Sequence, residues 1–177
     1  MRLDRNDAVL VVIDLQERLM PVIHERLEVE RNVERLIRGA HILGVPVVVT
    51  EQYVKGLGAT VEPLRAALEE TGGYRPIEKD CFSAQGCMPA LERRQALIAG
   101  VETHVCVYQT ALDLLGAGWN VWIAADAVSS RTPRNRDIAL QRLASEGARL
   151  SSTEMALFEM LVTAGTEEFR AVSKLVK

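Results

Sequence analysis

Three residues set the chemical question in this 177-residue chain. Asp14 closes the apolar run "AVLVVID", Lys79 stands in "YRPIEKD", and Cys106 lies inside "LIAGVETHVCVYQTALDLL". A thiol becomes a strong nucleophile when it ionises or when a neighbouring base removes its proton. A lysine ammonium stabilises the thiolate, and a carboxylate can accept the proton, so an acid, a lysine and a thiol brought together would make a nucleophilic site. Each residue also has an ordinary reading. Free cysteine is among the most buried residue types, and from position alone Cys106 reads equally well as a core thiol. Asp14 could cap a turn, although the next helical pattern begins only about ten residues later. Lys79 could be a solvated surface lysine, although it lies between Glu78 and Asp80 in a segment that is becoming buried.

Whether the three meet depends on the elements that carry them. Residues 8–14 are continuously apolar and rich in β-branched side chains, the pattern of a strand covered on both faces. Leu27, Val33, Leu36, Ile37, Ala40 and Leu43 follow at helical spacing over 27–43, with Gly44 where a C-terminal cap belongs. "VPVVVT" (45–50) reads as a second buried strand, with Pro46 at its start. A long connection containing "KGLGAT" and the short helix "EPLRAALEE" leads to a weaker third strand, "YRPIEK" (74–79). "QALIAG" (95–100) is a fourth strand, followed by a helix beginning near Thr103, whose first turn would hold Cys106. "WNVWIAAD" (119–126) is a fifth strand with "PRNRDIALQRLASEG" as its helix, and "ARLSS" is a short sixth. "TEMALFEML" and "TEEFRAVSKLV" close the chain as helices, with Thr153 and Thr166 as N-caps. Alternation without repeats or a Pro/Ser-rich linker predicts one α/β domain over 1–177. Its architecture would be three layers around a mostly parallel, doubly wound sheet of about six strands.

In such a sheet, ligands bind beyond the carboxyl ends of the strands. Asp14, Glu51 and Gln52, Lys79, Glu102 to Cys106, and Asp126 all stand at that rim. A helix N-terminus and a nearby lysine both favour a thiolate at Cys106. Asp126 reads mainly as a structural acid holding the "AVSSR" turn. His104 and Cys106 are two residues apart on a helix and point away from each other, which disfavours a Cys–His pair.

Composition removes several function classes. Hydrophobic residues make up 48% and charged residues 25%, and the net charge of −3 with scattered Lys and Arg argues against a nucleic-acid partner. No apolar run approaches the ~20 residues of a spanning helix. The start "MRLDRNDAVLVVIDLQ" lacks a signal-peptide cleavage site, so a cytoplasmic location is expected without a membrane partner. Three cysteines (Cys81, Cys87, Cys106) without a CxxC spacing make a poor disulfide framework or zinc site. The dinucleotide, P-loop and GxSxG patterns are also missing.

The stretches "VVIDLQ", "EKDCFSA" and "GVETHVCVYQTALDLLGAGWNVWIAADAVSSR" resemble the isochorismatase-like cysteine hydrolases over nearly the whole chain. "TEQYVKGLGATVEPL" is similar to the small isochorismatase domain-containing proteins of that family. The resemblance implies a catalytic triad of Asp14, Lys79 and Cys106. Cys106 would attack a carbonyl carbon to give a thioester, Asp14 would relay the proton, and Lys79 would stabilise the thiolate and orient the acid. It further implies a cis peptide between Val101 and Glu102, which aims the backbone N–H groups of Glu102 and Cys106 at the developing oxyanion. Nicotinamidases of the family carry an Asp-x-His metal motif after the second strand, where this chain has "TEQY"; neither a metal nor a cofactor is expected.

A small-molecule pocket drawn from Gln16, Glu51, Gln52, Tyr53, Phe82 and His104 completes the expectation. Family members form homo-oligomers, which implies one here, with apolar residues of "TEMALFEMLV" as candidate contacts. The alternative to a hydrolase is a non-catalytic small-molecule binding or scaffold protein with a vestigial triad. Cys81, two residues after Lys79, leaves a thiol-based redox role open.

Overall fold

The computed structural model describes all 177 residues, Met1–Lys177. Six strands run parallel: β1 (Ala8–Ile13), β2 (Val47–Gln52), β3 (Ile77–Lys79), β4 (Gln95–Val101), β5 (Asn120–Ser129) and β6 (Arg149–Ser151). Their order in the sheet is β3-β2-β1-β4-β5-β6. The chain winds outward from β1 to β3, then returns to lay β4 against the other side of β1. The switch point therefore falls between β1 and β4, where a ligand crevice opens in this class of sheet.

β1 is buried at all six positions, and its side chains alternate between two cores. Leu10 and Val12 join one cluster with α1 (Arg26–Leu43), α3 (Glu62–Thr71), α6 (Thr153–Leu161) and α7 (Glu167–Val176). Val9, Val11 and Ile13 join the other, with α4 (Tyr108–Gly116) and α5 (Pro133–Ser145). Each fully buried aliphatic side chain contributes about 1.5–3 kcal/mol, so this double burial makes β1 the spine of the molecule. A short helix, α2 (Val54–Leu57), follows β2 on the rim.

The α1 stripe forms as expected except for Leu27, which is 64% exposed because it lies in the first turn, beyond the reach of the core. Gly44 ends α1 at φ 69°, its N–H bonded to the carbonyls of Ala40 and His41. β3 is shorter than 74–79 and begins after Pro76, which has no N–H to give a ladder. β5 does not stop at Asp126. Between the pairs Ile98–Ile123 and Gly100–Val128 it advances five residues against two on β4, and this bulge carries it on to Ser129. Asp126 consequently does not hold the "AVSSR" turn. Its Oδ1 accepts from the backbone N–H (2.7 Å) and hydroxyl (3.0 Å) of Thr153, while its carbonyl accepts from the Asn32 side chain at 2.7 Å. Thr153 is thereby occupied, and the α6 N-cap is Ser152, which accepts from Met155 N–H. Thr166 caps α7 as expected, accepting from Phe169 N–H. Most of the apolar side chains of "TEMALFEMLV" are spent inside: Ala156, Leu157, Met160 and Leu161 are buried against α1 and α7, while Met155 and Val162 face outward.

One glycine is indispensable to this frame. Gly100 adopts φ +122°, and a Cβ there would lie 2.1 Å from the carbonyl oxygen of Ile13. β4 can approach β1 beside the site only without a side chain at this point. Gly100→Ala is expected to cost more than about 2 kcal/mol through backbone strain and overpacking. In a domain of this size that is a fall of about 5 °C or more in Tm, measurable by calorimetry.

Candidate active site

Asp14 is the residue after β1. Its left-handed backbone (φ 54°), which aspartate tolerates better than most residues, turns the chain off the sheet. The carboxylate is fully buried and engaged on both oxygens: Thr50 donates to Oδ1 at 2.8 Å and Lys79 Nζ donates to Oδ2 at 2.7 Å. Lys79 lies two strands away, at the end of β3, and its long side chain crosses the end of β2 to make this contact. The pair is almost solvent-free, with side chains 2% and 0% exposed. Further acceptors hold the ammonium in place: Gln52 Oε1 at 2.7 Å, Phe82 O at 3.0 Å and Cys81 O at 3.2 Å.

Cys106 approaches from the other side of β1. Residues Thr103–Val107 form a π-helical turn that leads into α4, so the cysteine precedes the α-helix instead of occupying its first turn. Such turns concentrate at functional sites. The Val101–Glu102 peptide that precedes this turn is cis. Thr110, one turn further on, donates its hydroxyl to Cys106 O (2.7 Å) and accepts from Ala84 N–H (2.9 Å). It thereby ties the cysteine's turn to the loop after Lys79.

The thiol does not behave as helix position alone implied. It is 6% exposed, and burial pushes its pKa up to about 12; the nearby Asp14 charge acts in the same direction, and Lys79 only partly opposes them. At neutral pH the resting group is a neutral thiol. Burial and a carboxylate neighbour outweigh the helix terminus and the lysine.

A small cavity of about 130 Å³ opens onto these groups. Its polar wall is made by Asp14, Gln52, Glu102 and Cys106, and its apolar wall by Leu19, Leu57, Phe82 and Val105. Of the expected pocket residues, Gln52 and Phe82 are therefore present, beside Glu102 of the expected oxyanion hole. The other four are elsewhere. Gln16 is a clamp, its amide donating to the carbonyls of Gln52 (2.9 Å) and Gly58 (2.7 Å) while its oxygen accepts from Gln52 N–H. Glu51 alternates to the opposite face of β2, where Oε1 accepts from Thr60 N–H (2.6 Å), the Thr60 hydroxyl (2.8 Å) and Tyr74 OH. Tyr53 borders a neighbouring cleft with Glu78, Lys79 and Asp80. His104 faces Ser130 (2.9 Å) and Asn135 (3.4 Å).

Sequence reasoning overlooked Thr50, Thr110, Arg131 and, apart from Phe82, the apolar wall. Thr110 was accessible in principle, because the i, i+4 spacing from Cys106 puts both on one helix face. Arg131 was not, since it reaches Glu102 only through the fold, donating from its backbone N–H (2.9 Å) and Nε (3.0 Å) to Oε2.

Comparison with known proteins agrees with this fold. The isochorismatase domain model matches residues 8–155. A secreted isochorismatase effector of Phytophthora sojae is 39% identical over 99% of this chain and 87% of its own length. Isochorismatase domain-containing protein 2 of Bos taurus is 38% identical over 96% of this chain and 83% of its own. A solved structure titled MAR1 ribonuclease from Caenorhabditis elegans superposes with a TM-score of 0.91 at 37% identity, covering 99% of this chain and 92% of that one. The secreted relative shows that family membership does not carry a cytoplasmic location, although no helix here is long and apolar enough to cross a membrane. With a six-stranded parallel sheet between two helical layers and a family match over most of its length, the chain belongs to the isochorismatase family, which supports a hydrolase-type function.

Proposed function

We propose that residues 1–177 form one domain with the activity of a metal-independent cysteine hydrolase, cleaving a short amide or related acyl compound through a thioester on Cys106. One observation carries this reading: Asp14 and Cys106 share the wall of one small cavity, and the only cation near them, Lys79, is ion-paired to Asp14 from behind. The positions that end β2 have other work than metal ligation, since Glu51 is held by Thr60 and Tyr74, and Gln52 by Lys79 and Asp80.

In this reading Cys106 Sγ attacks the amide carbonyl while Asp14 takes the thiol proton. A neutral resting thiol makes that transfer obligatory. The backbone N–H groups of Glu102 and Cys106 receive the oxyanion, a contribution of about 100-fold or more per donor. Asp14 passes its proton to the departing nitrogen, the C–N bond breaks, and ammonia or an amine leaves a thioester. Water then attacks that carbonyl, giving its proton to Asp14, which returns it to the sulfur as the acid departs. Lys79 holds Asp14 in position through both halves.

The ribonuclease activity for which the C. elegans protein is named draws little support here, because the residues lining the cavity include two acids and no Lys or Arg to meet a phosphate. A reducing compartment suits the three free thiols, and the reading includes a cytoplasmic location. It also includes a homo-oligomer, for which exposed Tyr53, Phe82 and Met155 are contact candidates.

Three measurements test this account. A panel of short primary amides should show hydrolysis that Cys106→Ala abolishes and Asp14→Asn lowers by about 10²–10⁴, with an acyl adduct on Cys106 visible by mass spectrometry; binding without any Cys106-dependent turnover would favour a binding protein. The ultraviolet difference between wild type and Cys106→Ala reports the thiolate. Because the folded pKa is raised above the ordinary 9 to about 12, no ionisation step should occur below pH 9, and the fold should lose stability as pH rises from 9 toward 12. A thiolate step near neutrality would refute the neutral-thiol mechanism. Lys79→Met should destabilise by about 3–5 kcal/mol in denaturant unfolding by stranding a buried carboxylate, and adding Asp14→Asn should recover part of that loss.

A further inference from the structure

The cavity holds a second ion pair that the proposed chemistry does not use. Glu102 is 7% exposed and lines the wall beside Cys106. Both bonds from Arg131 go to Oε2, while Oε1 takes no hydrogen bond from the protein. The Arg131 side chain is 59% exposed and forms no part of the wall. The Asp14–Lys79 pair is split the same way: the buried Asp14 borders the cavity, while Lys79 borders the neighbouring cleft beside Tyr53 and Asp80. In both ion pairs the acidic residue borders the cavity and the basic residue does not. Cys106 senses the same arrangement, since the Asp14 and Glu102 charges both disfavour its thiolate.

Size limits the ligand further. About 130 Å³ is well below the several hundred Å³ of a drug-sized site. An anionic ligand there would meet two carboxylates without a compensating cation, whereas a buried acceptor with a free oxygen favours an N–H donor.

We infer that Glu102 is the specificity-determining residue of this cavity, and that it selects short amides that carry no negative charge and bear a second N–H donor, either an ammonium or another carbamoyl group. The inference rests on the cysteine-hydrolase reading for the reaction but not for the selectivity, which is a property of binding.

Four probes of similar size test it: glycinamide (cationic donor), oxamide (neutral donor), propionamide (neutral, no second donor) and oxamate (anionic). At neutral pH, kcat/KM for glycinamide and oxamide should exceed that for propionamide by about 10-fold, and that for oxamate by about 100-fold or more. Glu102→Gln, checked for folding by its melting curve, should shrink the glycinamide-to-oxamate ratio at least 10-fold, mainly through KM. Calorimetric titration of Cys106→Ala protein with the same four compounds should give the same order without turnover. If wild type hydrolyses none of them while that binding order stands, the hydrolase reading falls and the selectivity survives. Oxamate bound or hydrolysed as well as glycinamide, or no binding of any of the four, overturns the inference.

Discussion

A carboxylate and an ammonium held 2.7 Å apart with their side chains almost free of solvent form an unusual contact to build into a small protein. Taking two charges out of water is costly unless every hydrogen-bonding position is filled, and here nearly all are. Thr50 and Lys79 satisfy Asp14, while Gln52 and the carbonyls of Cys81 and Phe82 satisfy Lys79. Those partners come from the ends of β1, β2 and β3 and the loop beyond, so the pair pins one half of the sheet's rim. Loop 81–84 is then tied by Thr110 to the turn that carries Cys106. One electrostatic contact thus connects both sides of the switch point.

The same contact explains the state of the thiol. With its positive charge committed to Asp14, Lys79 has little left with which to stabilise a thiolate, and burial disfavours one. The consequence is a division of labour. In the proposed mechanism Asp14, held in place by Lys79, is the base, and Cys106 stays protonated until a carbonyl carbon is within reach. A buried neutral thiol is also less exposed to alkylation and oxidation than a permanently ionised one, while the exposed Cys81 has no such protection.

Around this centre, the rim is held by groups that carry no chemistry. Gln16 clamps the chain leaving β1 to the chain leaving β2, and Glu51 gathers Thr60 and Tyr74 behind the cavity. Their place at the rim makes both candidates for the pocket. The alternation of a β-strand decides such cases: Gln52 faces Lys79 and the cavity, and its neighbour Glu51 necessarily faces away. His104 was misplaced for a related reason, since a π-helical turn rotates side chains differently from the α-helix assumed for it.

Local pattern by itself determined a good deal of this protein. Buried apolar runs in β1, β2 and β4, the α1 stripe closed by Gly44, and the alternation of element types specified a parallel α/β sheet, with Asp14 and Lys79 at strand ends and Cys106 between a strand and a helix. Those features are legible because hydrophobic periodicity and caps act over a few residues. Side-chain partners across the sheet were not legible. That Lys79 spans β2 to reach Asp14, that Arg131 holds Glu102, and that β5 bulges past Asp126 follow from strand order and register, which join residues far apart in the chain. The ionisation of Cys106 belongs to the same class. Helix position and a lysine neighbour argue for a thiolate, but solvent exclusion by the assembled core wins, and only the tertiary structure determines how much water a thiol loses.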